Sequence, residues 1–212
     1  MYRISGDEMN RKHHWDNVYA RKKPDEVSWY QTHLEKSREL IRATGVGHDA
    51  EIIDVGGGAS TLVDDLLDDG FRHVTVMDIS PTAIQSAQAR LGARAKEIVW
   101  LEADATHKSL PAHHYDVWHD RAVFHFLTDA EDRRRYVDNV SHVLKPGGHV
   151  IVATFGPHGP RKCSGLDIVR YSSEQLHAEF GEYFELLRSA VEDHVTPDGK
   201  HQEFVYCYCR KR

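Results

Sequence analysis

The chain has 212 residues, enough for one well-buried α/β domain and too few for two sizeable ones. No apolar run approaches the roughly 20 residues needed to cross a bilayer, and residues 1–8 are polar without the apolar core of a signal peptide, so a soluble, cytoplasmic protein is expected. A formal charge of −6 argues against a broad phosphate-binding face and hence against nucleic acid as a partner, and three cysteines without framework spacing fit a reducing compartment.

In chain order, Trp15, Val18 and Tyr19 recur at helical spacing between Asn10 and Arg21, which predicts a short amphipathic helix. Lys22, Lys23 and Pro24 end it. A capping-box pattern from Ser28 to Gln31 predicts a second helix running to Arg42 and stopped by Thr44, Gly45 and Gly47. Glu51 to Ser60, EIIDVGGGAS, carries the strongest local signal. Ile52, Ile53 and Val55 make a β-branched run suited to a buried parallel strand, and Gly56, Gly57 and Gly58 let a ligand lie against bare backbone. Ser60 is placed to cap a helix beginning at Thr61 and Leu62, whose first amides favour an anionic or carboxylate-bearing ligand.

Val74 to Met77 form a second strand, closed by Asp78 about where a carboxylate would reach the ribose hydroxyls of an adenosine ligand. Ser80 and Pro81 open a helix with Ile84, Ala87 and Leu91 on its buried stripe. A third strand, Glu97 to Leu101, leads to Asp104 at the same rim, and Tyr115 to His119 form the fourth. A capping box at Thr128 and Glu131 predicts a helix through Leu144, stopped by Lys145 to Gly148 ahead of a fifth strand, His149 to Phe155. A long loop, Gly156 to Tyr171, and a capped helix, Ser172 to Phe180, follow. Tyr183 to Val191 and Glu203 to Arg210 then pair as a hairpin around a turn at Thr196 to Gly199.

Taken together, these features resemble the class I S-adenosylmethionine-dependent methyltransferases. DVGGGAS at Asp54 to Ser60 is similar to their first motif, KPGGHVIVATF at Lys145 to Phe155 to their passage into strand five, and HWDNVYARKKPDEVSWYQ at His14 to Gln31 to the N-terminal segment of small members. The resemblance implies an α/β fold in a single domain over residues 1–212. Residues 51–212 would form a Rossmann-like seven-stranded sheet in the order 3-2-1-4-5-7-6, strand 7 antiparallel, with helices on both faces, and residues 1–50 a helical lid. It implies S-adenosyl-L-methionine as cofactor and S-adenosyl-L-homocysteine as product. By the same resemblance Asp54, Gly56, Gly57, Gly58 and Ser60 serve the methionine end, Asp78 holds the ribose, Ile79 packs on adenine, and Asp104 with the Ala105 amide meets the adenine edge. Asp120, Tyr19 and Trp15 join them as cofactor contacts. A nicotinamide dehydrogenase is the competing assignment, but its fingerprint wants a glycine three residues past Gly58, where Thr61 stands.

Methyl transfer from a sulfonium requires alignment and exclusion of water, and a base only where the nucleophile is protonated. Ligands of an open α/β sheet lie beyond the carboxyl ends of its parallel strands, which directs attention to His119, Asp120, Arg121 and His125 after strand four. His125 and His119 are the candidate bases, since an imidazole titrates near neutrality. Trp29, Arg121, Cys163, Arg161 and Arg170 are the candidate substrate contacts. Sixteen histidines include no pairing with cysteine or acid at a recognised metal interval, so no metal is expected. A metalloid acceptor held by Cys163 with Cys207 and Cys209 is disfavoured, because an antiparallel last strand carries the latter two away from the rim. Strand four is not followed by the Asn-Pro-Pro-Tyr type of motif of the nucleic-acid amino methyltransferases, which disfavours base methylation. A small-molecule acceptor is expected. A protein lysine is the alternative within the class, and a module that binds the cofactor without transfer is the alternative outside it.

Overall fold

Apolar residues alternate between the two faces of the central strands, and both of those faces are covered. The structure, a computed structural model, describes residues 6–107 and 110–212, so part of the polar opening noted from the sequence, residues 1–5, lies outside the described residues. Strands β1 (Glu51–Val55), β2 (His73–Asp78), β3 (Ile98–Glu102), β4 (Tyr115–Arg121) and β5 (Leu144–Phe155) run parallel, with β1 between β2 and β4. The terminal hairpin, β8 (Phe184–Val195) and β9 (His201–Lys211), enters with β9 antiparallel beside β5. The resulting order, β3-β2-β1-β4-β5-β9-β8, is that of a Rossmann-like methyltransferase sheet with its last strand inserted antiparallel.

Ile53, Val55, Met77, Trp118, Val150 and Val152 face helices α5 (Ala130–Val143) and α6 (Ser173–Phe180), burying Tyr136, Val140, Leu176 and Phe180. Their neighbours Ile52, Val74, Val76, Val117 and Ile151 face α2 (Glu35–Ala43) and α3 (Leu62–Asp68) through Leu40, Ile41, Leu62, Val63 and Leu66. Burial on both faces explains why the strands read as continuous apolar runs. Helix α4 (Pro81–Leu91) starts at Ser80, whose hydroxyl accepts from the Ala83 amide, as its sequence predicts. Among the described residues no helix is long and apolar enough to cross a membrane.

Several boundaries differ from the sequence-based expectation. The Ser28–Gln31 capping box does not open a helix. The Ser28 carbonyl accepts from His194 at 2.6 Å, and the Gln31 amide donates to Glu192 and reaches His194, so tertiary partners claim both residues and α2 begins only at Glu35. Asp129, rather than Thr128, caps α5, because its carboxylate takes the amides of Glu131 and Asp132. The fifth strand begins at Leu144, paired with Tyr115, and its register shifts before His149 meets Val117. The loop after β5 contains a small hairpin, β6 (Lys162–Cys163) and β7 (Leu166–Asp167).

Asp120 was expected at the cofactor and instead organises the turn after β4. Fully buried, it accepts from the amides of Val123 and Phe124 and from the Tyr136 hydroxyl, and Tyr136 in turn accepts from the Trp118 indole at 2.8 Å. Burial raises its pKa to about 6, against the pull of these donors. Asp120→Ala strands two amides and a hydroxyl in the core. It is expected to cost about 2–4 kcal/mol in chemical denaturation, whereas Tyr136→Phe should cost only about 1 kcal/mol.

Candidate active site

Three strand ends and one helix enclose the site. At the end of β1, Gly56 adopts a positive φ of 68° and donates its amide to the Met77 carbonyl, which draws the glycine turn over the end of β2. A Cβ on Gly58 would lie 2.6 Å from both an Asp78 carboxylate oxygen and Ala83, and one on Gly57 would collide with Asp54, so the turn admits no larger residue without displacement. The N-cap position of α3 falls to Thr61 rather than to Ser60 as expected; the Ser60 hydroxyl accepts from the Leu62 amide, while the Thr61 hydroxyl donates to the Gln31 carbonyl.

Asp78 accepts from the amides of Gly58 at 3.0 Å and Ser80 at 2.8 Å. Burial, offset only in part by these donors, raises its pKa to about 6. Asp104 is bound on one oxygen by the amide and hydroxyl of Thr106 and on the other by Arg11. Against the effect of burial, those donors hold its carboxyl below the usual range. Asp54 pairs with His119 at 2.7 Å through one carboxylate oxygen, and the second oxygen is buried without a partner.

Helix α1 (Gly6–Arg21) lies across these ends. Arg11, Trp15 and Tyr19 are spaced by four, so they share one face of α1, and all three line the cavity beneath it. Arg11 bridges Asp104 and Asp132 at 2.8 and 2.9 Å, Lys12 pairs with Glu102, and Asp16 accepts from the Ser80 hydroxyl. The cavity is about 800 Å³, partly open to solvent, and a second of about 450 Å³ adjoins it at Val55, Gly56, Trp29 and Arg121. Trp15 meets Phe126 and Trp29 with ring centres 4.9 and 5.9 Å apart, and Tyr19 meets Trp29 at 6.4 Å, so one wall is aromatic. Arg121 sits over the Phe204 ring. It donates to Tyr206 and the Trp29 carbonyl and pairs with Glu192 at 3.3 Å, which fixes the segment carrying Trp29.

Of the residues singled out from sequence, Gly56, Asp78, Ile79, Asp104, Ala105, Trp15, Tyr19, Trp29, Arg121 and Cys163 line the larger cavity. Asp54, Gly57, Ser60 and His119 line the smaller one. His119 is held there between Asp54 and the Ser37 hydroxyl, both ring nitrogens committed. The others fall elsewhere. His125 is fully buried away from both cavities. It accepts from the Phe155 amide and holds the post-β5 loop through its carbonyl and the Val169 amide. Burial and the Arg121 charge hold its pKa down to about 3. Neither imidazole is placed to take a proton from an acceptor in the larger cavity. Arg170 is spent on the carbonyls of Pro157 and Gly159, and Arg161 is exposed and lines neither cavity. Cys207 and Cys209 pack together in the core on the face opposite Cys163, which removes a three-thiol site. Arg11, Met77, Val123 and Leu127 line the larger cavity without having been singled out, although the spacing of Arg11 with Trp15 and Tyr19 carried a signal.

A family model described as a methyltransferase domain matches residues 53–152, from the core of β1 into β5. The chain carries this methyltransferase domain on the sheet order of the class I S-adenosylmethionine-dependent enzymes. This methyltransferase is 24% identical over 193 residues to human EEF1A lysine methyltransferase 2, an alignment covering 84% of the chain and 76% of that relative. It spans only 22–26% of the longer eEF1A lysine and N-terminal methyltransferases that it also matches. Among solved structures, a methyltransferase from Anabaena variabilis aligns with a TM-score of 0.75 at 15% identity, covering 98% of this chain and 96% of that one. The Burkholderia thailandensis 1,6-didemethyltoxoflavin-N1-methyltransferase, solved with its substrate and S-adenosylhomocysteine, aligns at 0.66 with 20% identity, over 97% of this chain and 85% of that one. S-adenosylmethionine is the cofactor of the methyltransferase. The residues present fit that group, since the unpartnered Asp54 oxygen and the bare glycine turn adjoin a cavity edged by Asp78 and Asp104.

Proposed function

We propose that the enzyme methylates a small molecule seated against the aromatic wall of Trp15, Tyr19, Trp29 and Phe126, in a single domain where α1 and the segment after it act as lid over a core to which α2 also belongs. The observation that carries this reading is the character of the cavity beyond the cofactor acids and the Arg11 that pairs with Asp104. Among the described residues its lining there is apolar or aromatic apart from Cys163 and Arg121, and Arg121 is neutralised by Glu192. When bound, S-adenosylmethionine supplies an electrophilic methyl on a sulfonium. Asp54 receives the methionine ammonium on its open oxygen, Asp78 accepts from the ribose hydroxyls, and Ile79 with Asp104 and the Ala105 amide frames the adenine. Trp29 and Cys163 position the acceptor, and α1 excludes water above it. Because neither His119 nor His125 lines the larger cavity, neither acts as general base, and the acceptor's proton leaves to solvent. The three buried thiols suit a cytoplasmic setting.

A protein lysine is the second reading. It is supported by the name of the human relative and by the capacity of an aromatic wall to hold an ammonium. The two are separated by transfer of a labelled methyl group to a panel of small aromatic amines, phenols and acids, beside lysine-bearing peptides. Transfer to the small molecules alone is expected, and transfer to peptides alone would overturn the reading. With an accepted small molecule, Trp29→Ala should raise KM about tenfold while leaving S-adenosylhomocysteine affinity within about twofold.

The Asp78 assignment also sets a pH dependence. Ribose hydroxyls donate to the ionised carboxylate, whose pKa of about 6 in the free protein falls on binding. Affinity for S-adenosylhomocysteine, measured by calorimetry, should be level above about pH 7 and decline by up to tenfold per unit below about pH 6. A flat profile across that range would contradict the assignment.

A further inference from the structure

A second cleft lies on the outer side of α1. It is lined by His14, Val18, Arg21 and Lys22 from the helix and its end, and by Ser164 and Gly165 from the β6–β7 turn. This cleft and the larger cavity share the same two walls. On α1, Tyr19 lines the cavity while Val18 and Lys22 line the cleft, and on the hairpin Cys163 lines the cavity while Ser164 and Gly165 line the cleft. Consecutive Cα atoms are about 3.8 Å apart, so the partition is one residue thick at both places.

Among the described residues most basic groups of the surface are paired, and those of the cleft are not. In a chain of net charge −6, guanidinium and ammonium groups are mostly matched with acids, as in Arg38 with Asp69, Arg90 with Asp64 and Lys145 with Asp116. Among the described residues Arg21 and Lys22 have no acid within ion-pairing distance, and no acid lines the cleft. His14 adds a ring nitrogen, Nε2, that is buried without a hydrogen-bond partner. The turn opposite holds two successive left-handed residues, Ser164 at φ 49° and Gly165 at φ 83°. Positive φ at both positions is what a two-residue hairpin turn requires, and this tight connection keeps the hairpin tip beside the helix end.

We propose that this cleft is the outer half of the acceptor site and takes an oxyanion, a carboxylate or phosphate, carried by the small molecule whose nucleophile enters the aromatic cavity. The inference rests on the small-molecule reading above and extends it. Arg21 and Lys22 meet the anion with charge-assisted hydrogen bonds, while the body of the acceptor passes between Tyr19 and Cys163.

The test compares the wild-type protein with the Arg21→Gln/Lys22→Gln double variant, whose substitutions are exposed. S-adenosylhomocysteine is titrated first; its failure to bind the wild type would overturn the cofactor site and this proposal with it. The loaded proteins are then titrated with inorganic phosphate and with benzoate. Binding of either probe to the wild type, weakened about tenfold or more in the double variant with S-adenosylhomocysteine affinity unchanged, is the expected result. Equal probe affinities in the two proteins, or no binding to the wild type, would overturn the anion site and leave the cofactor site standing. In the methyl-transfer panel, acceptors with a carboxylate should lose kcat/KM in the double variant while matched neutral acceptors do not. Equal losses would also overturn it.

Discussion

One buried carboxylate ties together the parts of this molecule that come from distant stretches of chain. Asp78 ends β2 and receives the Gly58 amide from the glycine turn and the Ser80 amide from the start of α4. Ser80 in turn caps α4 and donates its hydroxyl to Asp16 on α1. The turn, two elements of the core and the overlying helix therefore meet at a single acid that is only 6% exposed. A carboxylate so placed is costly to ionise, and that cost is offset in part by amides the backbone would otherwise leave unpaired.

Around this point the enclosure is built from opposite ends of the chain. Helix α1 is drawn down by Arg11 onto Asp104 and Asp132, while the segment after it is held from below by the C-terminal hairpin through Glu192 and His194. Arg121 reinforces the second attachment by contacting the Trp29 carbonyl, Tyr206 and Glu192 together. The aromatic wall thus rests on charged and polar contacts made away from its ring faces, and the rings themselves stay available to a ligand.

Most of the sheet was legible because each β-branched run ended at a glycine, an acid or a cap, and those signals are local. The glycine turn, Asp78 and Asp104 were legible for the same reason. What failed depended on side-chain direction and on tertiary competition. His119 lies opposite Asp54 in the parallel register, so a neighbour across the strand claims it, and Asp120 points into the core towards Tyr136. Proximity to a strand end did not distinguish residues facing the cavity from residues facing the core, because successive side chains alternate. The capping box at Ser28 was a genuine local pattern overridden by His194, Glu192 and Thr61, contacts that no sequence window contains.

The proposed cofactor site rests on three features at one rim of the sheet: the glycine turn, the open oxygen of Asp54 and the buried carboxyl of Asp78. The decisive measurement is a calorimetric titration with S-adenosylhomocysteine of the wild-type protein and of Asp78→Ala, with circular dichroism confirming that the variant is folded. Binding by the wild type and its loss in the folded variant is the predicted result. Undiminished binding by the variant would contradict the placement of the ribose at Asp78.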